Sequence, residues 1–154
     1  MIRIERNSDW WTAVGSHPAV RLALMGLEPE VVGATAARPD VLPLAAEHGG
    51  FLVCKADVMG FVAELHTLFT PEGWGREVVL AGIEGINLVW LAGYQVLTTF
   101  EVQSNPRSRP AKTFGFVQAG PWRDSPIGVI RQWVLTREAW EASPASKRRL
   151  QRLN

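Results

Sequence analysis

The sequence is poor in cysteine, in net charge and in long apolar runs, and each shortage removes a class of explanation. It holds one cysteine, Cys54, in 154 residues. A lone thiol excludes an internal disulfide and a cysteine-based zinc site, and it points weakly to a reducing compartment. Lys and Arg number 16 against 15 Asp and Glu, a net charge of +1. No global field therefore selects nucleic acid or a membrane surface. The longest apolar stretch, Val78 to Ala92, holds Glu84 and Asn87 and is too short to span a bilayer. The opening MIRIERNSDWW lacks the apolar core of a signal peptide. The expectation is a cytoplasmic protein with no membrane partner. No internal repeat or low-complexity run is visible.

What is present fits one globular domain over residues 1–154, ending in a basic tail from about residue 145. Hydrophobic content of 47% and charged content of 20% are ordinary for such a domain. Seven tryptophans stand out. They read first as core and interface filling, since Trp packs a large area with few rotamers.

The chain is organised around Met59 to Trp90. Phe61 to Phe69 alternates with the period of a strand. Phe61, Ala63, Leu65, Thr67 and Phe69 share one face, and Val62, Glu64, His66 and Leu68 share the other. PEGWGRE follows as a Gly-rich turn, and an apolar helix begins after it. A strand that empties through glycines into a helix N-terminus offers free N–H groups and the positive end of the helix dipole to an anion. The helix sets Val79, Ile83, Ile86 and Trp90 on one stripe. Gly93 stops it, and Tyr94 to Val102 reads as the next strand. A helical crossover makes the two flanking strands parallel.

Around this centre, Ile2 to Ile4 reads as a strand with both isoleucines facing inward. Asn7 or Ser8 caps a helix carrying Trp10, Trp11 and Val14. Ala19 to Met25 adds a helical turn or two. The segment opened by Pro29 has no clear type, and Val41 to Glu47 reads as a short helix. Phe51 to Lys55 is a buried strand that forms a hairpin with the one after it. Past Val102, Asn105 or Ser104 caps a helical turn that Gly115 closes. Phe116 to Ala119 is a short strand, Gly120 to Gly128 a loop, and Val129 to Leu135 a strand. Thr136 caps a helix from Arg137 to Glu141.

From Phe51 to Trp140 this order, with its residues, resembles the GCN5-related N-acetyltransferase (GNAT) superfamily. Thr70-Pro71-Glu72-Gly73-Trp74-Gly75 matches the two glycines of the family's acetyl-CoA signature and lacks its leading Gln or Arg. Asn105, Ser108 and Gly115-Phe116 match the family's later landmarks. WRDSPIGVIRQWVLTREAWE is similar to the ribosomal-protein acetyltransferase branch. The resemblance implies an α+β, three-layer acyl-CoA N-acyltransferase fold. Its sheet would be mixed and mostly antiparallel, with splayed central strands and flanking helices.

The resemblance also implies acetyl-CoA as co-substrate and no metal. The pyrophosphate would rest on backbone N–H groups of Glu72, Gly73, Trp74, Gly75 and Arg76, with Leu68, Phe69, Thr70, Asn105 and Ser108 lining the rest of the site. Glu64 matches the family's strand-four glutamate base, and His66, on the same face, is the alternative. Both residue types also occur on strands as solvent-facing or packing groups. The family's Tyr general acid falls at Ala111. The only tyrosine, Tyr94, begins a strand, so Ser108 or Ser104 stands in near the thiolate.

Two functions follow. One is an N-acetyltransferase for a protein N-terminus, a lysine or a small amine. The other is a non-catalytic assembly protein on the same fold, as in bacteriophage-encoded chains of this look, a virion component or homo-oligomer with Trp10, Trp11, Trp74 and Trp122 as contacts. A third reading, nucleic-acid contact through Arg107, Arg109, Lys112, Lys147, Arg148, Arg149 and Arg152, is weaker, because local basic clusters are usually solvated surface.

Overall fold

The computed structural model describes residues 1–24 and 26–147. Met25 and the tail arginines Arg148, Arg149 and Arg152 lie outside the described residues. In chain order the elements are strand β1 (Arg3–Ile4), helix α1 (Ser8–Ser16), helix α2 (Pro18–Arg21) with a 3-10 turn Leu22–Leu24, and helix α3 (Pro29–Ala37). Strands β2 (Val41–Ala45), β3 (Gly49–Lys55) and β4 (Val62–Phe69) follow, then a 3-10 turn Pro71–Gly73 and helix α4 (Arg76–Leu91). After β5 (Val96–Val102) come 3-10 turns Pro106–Ser108 and Lys112–Phe114, strands β6 (Val117–Gln118), β7 (Arg123–Ser125) and β8 (Gly128–Thr136), and helix α5 (Arg137–Ala142).

The strands hydrogen-bond in the order β1-β2-β3-β4-β5-β8-β6, with β7 on β8. The β4–β5 ladder is parallel, as a helical crossover requires. The ladders β1–β2, β2–β3, β5–β8, β6–β8 and β7–β8 are antiparallel. The architecture is thus α+β, with a mixed, mostly antiparallel sheet and flanking helices. Two compact units divide the chain, Met1–Lys55 with Leu65–Ile86, and Ala56–Glu64 with the residues from Asn87 onward.

In the first unit, Asn7 caps α1 by accepting the N–H groups of Asp9 and Trp10. Trp11 is fully buried, and its indole N–H donates to the Glu5 carbonyl at 2.6 Å. Trp11, Val20, Leu24, Val32, Leu52 and Leu68 belong to one core cluster, which α3 helps to close. The untyped segment after Pro29 is therefore a helix, with proline in its first turn, where no intrahelical N–H is needed.

Four local expectations are corrected. Val41–Ala45 is a strand, not a helix. Its apolar run VLPLA pairs with β1 on one side and β3 on the other, and a short apolar run has no period that separates the two states. Pro43 has no N–H to give, and its carbonyl accepts the Glu5 N–H at 3.0 Å. Ile4 is 58% exposed rather than inward-facing, on a strand of two residues at the end of the strand order. The buried stripe of α4 is Ala81, Gly82, Gly85, Ile86, Val89 and Trp90, while Val79 and Ile83 are half-buried. A methyl group on Gly85 would stand 3.3 Å from Leu44 and 3.4 Å from Ile2, so the glycine side of the helix is the packed side. Finally, the segment from Gly120 to Gly128 contains β7, which forms a hairpin with β8.

In the second unit, β5 pairs with β8 at every residue from Val96 to Val102. Leu97, Leu135 and Trp140 are buried at its centre. Each of the two leucines contributes about 1.5–3 kcal/mol by leaving water. The Trp140 indole N–H reaches the Asn87 side-chain oxygen at 3.4 Å. Thr136 caps α5 through the Ala139 N–H.

Candidate functional site

The turn after β4 is braced from the β2–β3 corner. The His48 carbonyl accepts the Thr70 N–H at 2.9 Å and the Thr70 hydroxyl at 3.3 Å. Inside the turn, the Gly73 N–H donates to the Thr70 carbonyl and the Trp74 N–H to the Pro71 carbonyl. The Trp74 indole N–H donates to the Phe69 carbonyl at 3.1 Å. Two of the five backbone donors expected to meet a phosphate are therefore used in shaping the loop.

The two glycines do different work. Gly73 is buried, and a methyl group there would sit 2.6 Å from the Phe69 ring and 3.1 Å from His48 Cβ. Gly75 has open space around it and a φ of +91°, a conformation that L side chains rarely adopt. The Val79 N–H bonds back to the Gly75 carbonyl, so α4 starts at that glycine. The N–H groups of Arg76, Glu77 and Val78 then lack intrahelical acceptors. Arg76 is exposed and makes no ion pair among the described residues.

A pair that sequence reasoning missed stands beside this turn. Glu77 Oε2 lies 2.7 Å from His48 Nδ1, and Glu77 Oε1 accepts the His48 backbone N–H at 2.9 Å. The Glu77 hydrogen bond raises the His48 pKa above its usual 6.5. Burial pushes the Glu77 carboxyl up, but the hydrogen bonds from the His48 backbone and ring outweigh it and hold the group below 4.5. A hydrogen bond from Thr70, and then one from its own backbone, lowers Glu72 too. The signal for His48 lay in the His-Gly-Gly corner, but its partner is 29 residues away.

Glu64 occupies the last registered pair of the parallel ladder, Val62↔Val96, Ala63↔Leu97, Glu64↔Thr98. It is half-buried. The buried Thr98 hydroxyl donates to the Ala63 carbonyl at 3.2 Å and ties the two strands at this level. His66 is exposed, two residues further along β4. Of the other expected residues, Leu68 and Phe69 are buried in the first unit, and Phe69 packs edge-on against Phe51. Asn105 caps the 3-10 turn after β5 through the Arg107 N–H. The Ser108 hydroxyl accepts the Val102 N–H at 2.6 Å and donates to the Asn105 carbonyl at 2.6 Å. Ala111 precedes the next 3-10 turn and brings no polar group.

A second cluster not anticipated from sequence lies across β5 and β8. Glu101 is only 8% exposed. Its Oε2 accepts from Arg131 at 2.7 Å and from the Trp133 indole at 2.8 Å. The Arg131 guanidinium lies 4.4 Å from the Trp122 ring centroid and 5.3 Å from that of Trp133. Paired, this buried charge is tolerated; alone it would be costly.

No family model matches the sequence, and no curated protein matches it either. Solved structures do match, and together they define the fold as that of the GNAT acetyltransferases. An aminoglycoside acetyltransferase AAC(6')-Ib in complex with coenzyme A matches with a TM-score of 0.71 at 15% identity, over 92% of this chain and 97% of that one. Spermidine N-acetyltransferase from Vibrio cholerae, with CoA and spermine, matches with a TM-score of 0.70 at 11% identity, over 91% and 96%. A probable acetyltransferase matches at 0.66 and 14% identity, over 90% and 93%. Among the described residues no group of His, Cys, Asp and Glu could hold a metal, and no helix is long and apolar enough to cross a membrane.

Proposed function

We propose that the chain is a single GNAT-like domain over residues 1–154 that acts as an acetyl-CoA-dependent N-acetyltransferase, moving an acetyl group to an amine of a protein N-terminus, a lysine or a small molecule. The observation that carries this reading is the position of Glu64. It is a half-buried carboxylate on the last registered pair of the parallel β4–β5 ladder. It lies on β4, in a fold whose solved examples include complexes with coenzyme A.

The residues present fit the co-substrate. Arg76 and the first N–H groups of α4 would hold the pyrophosphate, and Gly75 leaves its approach open. Bound acetyl-CoA supplies the acyl carbon and a thiolate leaving group, and with an ordinary thiol pKa of about 8.5 that group can depart without a side chain at position 111 to protonate it. Glu64 removes the proton from the acceptor amine, whose ordinary pKa, about 8 for an N-terminus and about 10.4 for a lysine, keeps most of it charged and unreactive in neutral water. The nitrogen lone pair forms the new C–N bond as the C–S bond breaks. His66 is the alternative base.

The second reading, a non-catalytic assembly protein such as a virion component, has an observation of its own. Glu72 and Glu77 put two carboxylates at the turn, and the Ser108 hydroxyl is held by Val102 and Asn105. The melting temperature of the protein with millimolar acetyl-CoA separates the two. Ligand at 100 times its dissociation constant stabilises by about 2.7 kcal/mol, several degrees for a domain of this size. The shift should vanish in Gly75→Arg. No shift in the parent protein sinks the enzymatic reading. A shift with no acetyl transfer to any amine favours the second.

A further inference from the structure

We infer that Arg123 selects the acceptor by binding a carboxylate, and that the acceptor is the N-terminus of a peptide with an acidic residue at about its third position. This rests on the acetyltransferase reading above. Residues that face each other across a ladder share a face of the sheet, as do residues two apart on one strand. Glu64 pairs with Thr98, so Phe100 and Val102 share its face. Val102 pairs with Ile130, and Ile130 with Arg123. Arg123 is therefore on the Glu64 face, and its guanidinium lies 5.8 Å from the centre of the Phe100 ring.

Arg123 is exposed and makes no ion pair among the described residues. Asp124, the next residue, faces the other way by the alternation of the strand. The other arginine of this hairpin, Arg131, is on the opposite face and is held by Glu101. Among the described residues Arg123 is thus a guanidinium without an ion-pair partner, and its ring neighbour limits its wandering. Its planar fork suits a carboxylate bidentately.

The spacing sets the ligand. One strand spacing and two residue rises put the Cα atoms of Glu64 and Phe100 about 8 Å apart. The guanidinium lies beyond the ring, so amine and carboxylate would be about 10 Å apart. That is roughly three residues of extended peptide. The solved neighbours named for aminoglycosides and spermidine are named for acceptors rich in amines. A cation on the acceptor side opposes such a ligand.

The test is a set of three peptides alike except for Glu, Gln or Lys at position three, offered with acetyl-CoA. The parent protein should favour Glu over Gln by about tenfold in kcat/KM, with Lys last, and most of the difference in KM. In Arg123→Ala the Glu-to-Gln ratio should fall to about one. Arg123→Glu should put Lys first, and Arg123→Lys should keep part of the preference, with melting temperatures confirming that each variant is folded. Transfer without a charge preference, or a preference that survives Arg123→Ala, overturns the inference and leaves the enzymatic reading standing. Absence of both acetyl-CoA binding and transfer overturns both.

Discussion

Glu77 holds His48 at two points, with one carboxylate oxygen on the backbone N–H and the other 2.7 Å from the ring nitrogen. The pair joins the β2–β3 corner to the first turn of α4. It also places a carboxylate at a helix N-terminus, where the dipole favours it.

That pair makes stability depend on pH in a definite sense. His48 has a folded pKa above 6.5, so its contribution is complete below 6.5 and is lost as pH rises through the folded value. Glu77 has a folded pKa below 4.5, so its contribution is present above 4.5 and is lost as pH falls through the folded value. The two together are strongest between these limits. Melting temperatures from pH 5 to 8.5 should therefore fall on the alkaline side, and Glu77→Gln should flatten that fall. Equal slopes in parent and variant would remove the pair as its cause.

The glycines of the turn should separate in a denaturant titration. Gly73→Ala forces a methyl group against Phe69 and His48 and should cost about 1–3 kcal/mol by overpacking. Gly75→Ala meets no neighbour, and its cost should come from the positive φ alone, about 1–2 kcal/mol. Substituting Asn, which tolerates this conformation, should recover part of the loss at 75 and none at 73.

Glu64→Gln should lower kcat by about a hundredfold or more, with acetyl-CoA affinity unchanged in a direct binding measurement. Retained turnover in this variant, together with loss in His66→Gln, would move the base to His66.

Ser108→Ala removes the acceptor of the Val102 N–H and should cost about 1–3 kcal/mol in chemical denaturation. A residue that only closes the turn should change melting temperature and leave kcat of the folded protein near the parent value. A drop in kcat well beyond that expected from unfolded protein would assign Ser108 to the chemistry.

Removing one partner of the buried pair should be worse than removing both. Arg131→Met leaves the Glu101 carboxylate buried with the Trp133 indole as its remaining donor and should cost about 3–5 kcal/mol. Glu101→Leu with Arg131→Met should recover much of that loss. Stability of the single and double variants, read by urea titration, checks it.

The elements legible in the sequence were those written locally. Asn7, Asn105 and Thr136 cap the helices or turns that follow them, because the cap and its N–H partners are two or three residues apart. The alternation of β4 and the Gly93 stop to α4 are equally local. The β2 strand was not legible, because Val41–Ala45 carries no period and its partners are β1 and β3. In the candidate site, strand periodicity could put Glu64 and His66 on one face, while the packing of Gly73 against Phe69 and His48 could not be read, because His48 lies on a distant segment. His48 with Glu77, and Arg123 over Phe100, are pairings between distant segments that no window of sequence contains.

The turn after β4 also has two kinds of amide, and this has a kinetic consequence. Thr70, Gly73 and Trp74 donate within the scaffold, while Arg76, Glu77 and Val78 stand at a helix start without intrahelical acceptors. Solvent hydrogen exchange should be slow for the first three and fast for the last three. An anion seated on α4 would then slow exchange at 76–78 while leaving 70–74 as it was, so the location of a ligand could be read from exchange rates before any product is found.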